Sequence, residues 1–239
     1  MNTQMNRQYF LAARPDGLPT EEHVQCRDVP LADPGPGEVV LRNLYISLDP
    51  AIRGWMSDAP NYIEPIALGD PVRASVIGRV TASNSPDFKV GDVAMGLGGW
   101  EQYTTTPAAM LNPLDENAGL PLSLFLGALG PTGLTAYFGL LDVGQPKAGE
   151  TVLVSAAAGA VGSVVGQIAR MQGCRVVGMA GTDEKCDWLT GELGFDAAIN
   201  YRSCGDYQAA IHQACPDGVD VYFDNVGGEI LDAALMCLN

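Results

Sequence analysis

TVLVSAAAGAVGSVVG, residues 151–166, decides the fold: an apolar run from Thr151 to Ser155, a turn of small residues, and the start of a helix. Ala157, Gly159 and Gly162 stand where a G-x-G-x-x-G turn has its three small positions. Such residues let a backbone approach a pyrophosphate closely, and the unpaired N–H groups at the start of the following helix point donors and positive dipole toward it. Gly159, Ala160, Val161 and Gly162 are therefore the expected pyrophosphate contacts of a dinucleotide. Gly166, one turn further on, reads as a helix-packing glycine.

The rhythm continues toward the C-terminus. Val161–Gln172 reads as a helix, Cys174–Ala180 as a strand, Asp183–Leu193 as a helix, Ala197–Asn200 as a strand, Tyr207–Ala214 as a helix and Val219–Asp224 as a fourth strand. Continuous apolar strands alternating with amphipathic helices predict a parallel sheet covered on both faces. The class is α/β, with a doubly wound Rossmann sheet whose later strands are expected to be missing, because the chain stops at Asn239 after four strands and the full fold carries about six.

Toward the N-terminus the pattern changes. A helix is predicted over roughly Gly133–Val143, and before it the chain is rich in Gly and Pro and broken into short runs. Val39–Ser47, Val72–Ala82, Lys89–Met95 and Gln102–Thr106 read as strands of a β-rich unit punctuated by turns such as DPGPGE at 33–38. Two domains are expected, residues 1–125 and 126–239.

The second strand of the parallel sheet ends in MAGTDEK. A site that prefers NAD places a carboxylate at this tip to bond the ribose 2′-hydroxyl. Here the tip is Gly181, and Lys185 follows in the first helical turn, within reach of a 2′-phosphate, so the cofactor is read as NADPH; the alternative for Lys185 is an exposed helix-face lysine. Asp183 is read as a favourable charge at a helix N-terminus. Tyr201 and Asn225 lie just past the third and fourth strands, on the edge where ligands bind in open α/β sheets. Each is a candidate cofactor contact, against a packed tyrosine and a turn asparagine.

Thirteen basic against 28 acidic residues give a net charge of −15, which opposes binding to a phosphate backbone. The start of the chain lacks an apolar secretion core and no run is long enough to span a bilayer, so a cytoplasmic protein is expected. The six cysteines form no C-x-x-C pair, and His23 and His212 stand in no ligand spacing, so no metal is expected. No nucleophile elbow is present: Ser155 ends a strand without the flanking glycines.

Residues 127–170, GTDEK at 181–185, FDNVGG at 223–228 and LYISLDPAIRGWMSD at 44–58 together resemble the zinc-free medium-chain dehydrogenases/reductases that reduce activated double bonds, the group of the prostaglandin, alkenal and curcumin reductases. The resemblance implies a GroES-like N-terminal domain beside the Rossmann domain, and hydride transfer from NADPH to the β-carbon of an enal or enone. It implies Lys185 and Tyr201 at the 2′-phosphate, Asn225 further along the cofactor, and Thr135 as an added contact. It further implies a homodimer for full-length relatives, and a tyrosine beyond Asn239 as their main hydrogen-bond donor to the developing enolate oxygen. Tyr62, in the loop NYIEP, is the candidate donor from the N-terminal side, or else a packed loop aromatic. Ala51 stands where many relatives have a pocket tyrosine. A quinone reductase of the same fold and an inactive NADPH-binding fragment are the alternatives.

Overall fold

Residues 4–239 are described by a computed structural model. The chain divides after Leu126 into two units, each with its own core.

The first unit is antiparallel β. Its strands are β1 (Met5–Leu11), β2 (Val24–Pro30), β3 (Glu38–Ile46), β4 (Arg73–Ser83), β5 (Val93–Gly99), β6 (Tyr103–Pro107) and β7 (Leu111–Leu114), with helix α1 (Ala51–Trp55) between β3 and β4. A five-stranded sheet runs β6-β3-β4-β5-β7, and β1 pairs only with β2, apart from isolated bridges of Gln8 to Glu101 and Phe10 to Pro71. Val39, Leu41, Val76, Val80 and Phe88 fill one core; Leu11, Ile52, Trp55, Met56 and Val72 fill a second around α1.

The β1–β2 pair does not stand out in the sequence because MNRQYFL and VQCRDVP carry polar residues, among them the buried Asn6, where a half-buried strand would be apolar. The pair is held by its own side chains and by β1 bonding to the rest of the unit, as where Tyr9 N donates to the Trp100 carbonyl at 2.7 Å. Arg7 lies opposite Asp28 in register and bonds it with Nε at 2.9 Å and Nη2 at 3.1 Å, while Arg27 lies over the Phe10 ring at 4.5 Å. The run Lys89–Met95 is also revised: Lys89–Asp92 is a turn, closed by Asp92 Oδ2 accepting from Lys89 N at 2.8 Å, and β5 starts only at Val93.

The second unit starts with α2 (Pro131–Phe138). Proline at its first position costs no helix bond. The helix runs on into a wider π turn, Gly139–Gly144, which stops at Gln145 in the left-handed region. Then come β8 (Thr151–Val154), α3 (Ala160–Met171), β9 (Arg175–Ala180), α4 (Asp183–Gly191), β10 (Ala197–Asn200), α5 (Tyr207–Ala214), β11 (Val221–Phe223) and α6 (Gly228–Leu235). The four strands are parallel in the order β10-β9-β8-β11.

Alternation along β8 explains why both faces must be covered. Val152 and Val154 join Val165 and Ala169 of α3, Ala136 of α2 and Leu189 of α4; Leu153 joins Ile211 of α5 and Ile230 and Ala234 of α6. Every β8 residue is buried, the pattern expected of a central parallel strand. The strand order changes direction at β8, whose neighbours β9 and β11 follow on opposite sides, so the crevice between the C-terminal ends of β8 and β11 is where such sheets take ligands. Among the described residues no helix is long and apolar enough to cross a membrane.

A candidate dinucleotide-binding edge

The turn after β8 is built tightly. Ala156 adopts φ +45°, one of two non-glycine residues with positive φ among those described, and its carbonyl accepts from Gly159 N at 2.8 Å. Gly159 then caps α3 with extended backbone and no side-chain cap. The first bond into the helix is Ser163 N to Gly159 O at 3.0 Å, so the amides of Ala160, Val161 and Gly162 precede it. A Cβ on Gly162 would lie 2.7 Å from the Ala157 Cα, and one on Gly159 would lie 3.0 Å from the Ala156 oxygen. The glycines thus let turn and helix close on each other, leaving an uncapped N-terminus of three amides at the sheet edge. That cradle fits a pyrophosphate. Gly166 has the other role: a Cβ there would enter the ring of Phe195.

The neighbouring strand ends differently. A Cβ on Gly181 would meet the Tyr201 hydroxyl at 2.6 Å. With Tyr201 in this position a side chain at the tip, such as the carboxylate that binds a ribose 2′-hydroxyl, would have to push the tyrosine ring aside, so Gly181 and Tyr201 pack as one unit. Thr182 caps α4, its hydroxyl accepting from Lys185 N at 3.3 Å, which sets Lys185 in the first turn with an exposed side chain. Asp183 is turned to Asn200, whose Nδ2 donates to Oδ1 at 2.6 Å. Gly181, Lys185 and Tyr201 are therefore neighbours on the lips of β9 and β10.

Asn225 is joined to the glycine turn through Ser155, a residue the sequence reading passed over. Ser155 Oγ is fully buried, accepts from Asn225 N at 2.8 Å and donates to Asp224 Oδ1 at 3.1 Å; Asn225 Nδ2 donates to the Ser155 carbonyl at 2.9 Å. Asp224 Oδ1 also accepts from Tyr222 Oη at 2.8 Å and from the amides of Val226 and Gly227 at 3.0 Å each. Burial raises the Asp224 pKa, but the Gly227 and Val226 amides and the Tyr222 and Ser155 hydroxyls outweigh it and leave the carboxyl below its ordinary value. Tyr222 shifts upward, chiefly by burial, so its hydroxyl stays protonated. The signal in the sequence was a serine directly after an apolar strand and an Asp-Asn pair after another.

Thr135 lies in α2, which packs on α3; its exposed hydroxyl donates to the Pro131 carbonyl at 2.8 Å, leaving its lone pairs open. Tyr62 belongs to the first unit. It is 81% exposed, and its hydroxyl accepts from Trp55 Nε1 at 3.1 Å, which leaves the hydroxyl proton to donate elsewhere.

Among the described residues no group of three or more His, Cys, Asp or Glu side chains could hold a metal ion. His23 is engaged by Thr20, and His212 Nε2 lies 3.7 Å from the buried Cys237 Sγ.

Two family models match the chain: one described as the N-terminal domain of oxidoreductase, over residues 7–114, and one described as zinc-binding dehydrogenase, over residues 160–239. The NADPH-dependent curcumin reductase of Escherichia coli is 46% identical over 99% of this chain and 68% of its own length. The NADP(+)-dependent 2-alkenal reductase of Nicotiana tabacum is 43% identical over 97% of this chain and 68% of its own. The crystal structure of CurA from Vibrio vulnificus in complex with NADPH superposes with a TM-score of 0.92, at 43% identity over 98% of this chain and 68% of that one. The chain belongs to the medium-chain dehydrogenase/reductase family of NADP-dependent oxidoreductases.

Proposed function

We propose that this protein uses NADPH to reduce the carbon–carbon double bond of α,β-unsaturated aldehydes and ketones. The observation that carries the cofactor assignment is the Gly181–Tyr201 unit, in which the Tyr201 hydroxyl covers a strand tip that has no ribose-binding carboxylate, while Lys185 offers a cation. The substrate class rests on the relatives: one acts on curcumin, a conjugated diketone, and one on 2-alkenals.

The amides of Ala160, Val161 and Gly162 take the pyrophosphate, with Gly159, whose own amide is bonded to the Ala156 carbonyl, letting it approach the backbone closely; Lys185 and Tyr201 take the 2′-phosphate, and Asn225 and Thr135 contact the cofactor further along. Asn225 keeps its Oδ1 and one Nδ2 proton for the cofactor, its other N–H being committed to the Ser155 carbonyl. When bound, NADPH would supply a hydride for the β-carbon, the pair of the carbon–carbon π bond shifting to join the α-carbon and the carbonyl carbon and the carbonyl π pair moving onto its oxygen. Negative charge developing on that oxygen needs a donor. Tyr62 takes this part, since Trp55 already occupies a lone pair of its hydroxyl and leaves the proton free. A solvent proton then goes to the α-carbon, so one proton is consumed per turnover.

The test is consumption of NADPH by this chain with 2-alkenals, enones and quinones supplied in parallel. Faster consumption with enals and enones supports the reading. Consumption with quinones alone assigns a quinone reductase, and none with any acceptor assigns a cofactor-binding protein without this activity.

A further inference from the structure

The loop after β10 carries a cation that the reading above leaves unused. Among the described residues, only Arg42 and Arg202 of the arginines have a guanidinium engaged in no hydrogen bond or ion pair, although acidic residues outnumber basic ones 28 to 13. Arg202 is placed where a cation would matter. Its Nε lies 3.4 Å from the Cβ position of Gly181, on the strand tip that Tyr201 also covers.

The backbone beneath it is fixed. Tyr201 N donates to the Ala180 carbonyl at 3.0 Å, which ties the loop to the end of β9. Asn200 Oδ1 accepts from Arg202 N at 3.1 Å while its Nδ2 donates to Asp183 at 2.6 Å. One asparagine therefore sets the start of the arginine and also engages the Asp183 carboxylate.

A 2′-phosphate carries a charge of roughly −1.5 to −2 near neutral pH and has three acceptor oxygens. In a chain of net charge −15 it approaches against the overall field, so a single exposed lysine is a thin counterweight. A guanidinium adds a planar pair of donors that a lysine lacks.

We propose that Arg202 is a second cation for the 2′-phosphate of the cofactor, acting with Lys185 of α4 and the Tyr201 hydroxyl. It rests on the NADPH reading of this edge, and the two are separable by experiment. The intact chain would be titrated calorimetrically with adenosine 2′,5′-bisphosphate and with 5′-AMP, as wild type, Arg202→Gln, Arg202→Lys and Lys185→Ala.

Arg202→Gln is expected to weaken the bisphosphate about tenfold, the scale of one charged hydrogen bond, and to leave 5′-AMP within about twofold, which also reports that the variant is folded. Arg202→Lys should recover part of the loss. If Arg202→Gln binds the bisphosphate like wild type while Lys185→Ala is weakened, Arg202 is no contact and the NADPH reading stands. If the wild type binds both ligands equally, both are overturned.

Discussion

Ser155 makes the glycine turn and the Asn225 loop a single object. Its hydroxyl has no solvent to fall back on, and it serves Asp224 as donor and Asn225 as acceptor at once. Ser155→Ala takes the acceptor from the Asn225 amide and removes one of the donors that hold Asp224, so a loss of about 1–3 kcal/mol is expected in urea unfolding, together with weaker NADPH binding. Unchanged stability and binding would mean that the two loops are positioned independently. Asp224 gives the same network a pH signature. Its folded carboxyl lies below its ordinary value of 3.8 through the Gly227 and Val226 amides and the two hydroxyls, which outweigh burial. Its contribution is therefore complete above the unfolded value and lost as the pH falls through the lower folded one. Asp224→Asn should flatten the loss of stability on acidification, measured as the urea midpoint from neutral pH down to roughly pH 3; an equally steep loss in the variant would show that the carboxylate is not coupled to folding.

At the scale of elements, α3 is placed by what its glycines omit. Gly166 admits the Phe195 ring against the helix, so Gly166→Ala should cost about 1–3 kcal/mol by overpacking. Adding Phe195→Leu should recover part of that cost, a coupling that a double-mutant cycle measures directly. Strictly additive losses would show that ring and helix do not meet. This contrast also marks what can be read from the chain. β8 is legible because a strand buried on both faces must be apolar throughout, β9 and β10 because their short apolar runs alternate with helical segments, and α3 because small residues precede an amphipathic run. β1 and β2 are not legible: Arg7–Asp28 and Arg27–Phe10 hold them across the pair, and neither segment shows its partner on its own. Within the site, Gly159, Gly162 and Lys185 stand out by motif. Ser155, Tyr222 and Asp224 do not, because their roles arise only when β8 and β11, far apart in sequence, become neighbours.

Over the whole molecule the charge runs against the ligand. A chain of net charge −15 binding an anionic dinucleotide must concentrate its attraction at one place, and screening leaves charges effective only within a Debye length of about 8 Å at physiological ionic strength. In the proposed reading the lips of β9 and β10 are that place, with Lys185 and Arg202 beside a tip that the Tyr201 hydroxyl covers. Discrimination between NADPH and NADH is then expected to depend on this edge, while the glycine turn holds what the two cofactors share. The most direct measurement is calorimetric titration of the intact chain with NADPH and with NADH, repeated for Lys185→Ala. Clear preference for NADPH is expected in the wild type and its collapse in the variant, with NADH affinity little changed; equal affinity for the two cofactors in the wild type, or a preference that survives the substitution, would contradict the role of this edge.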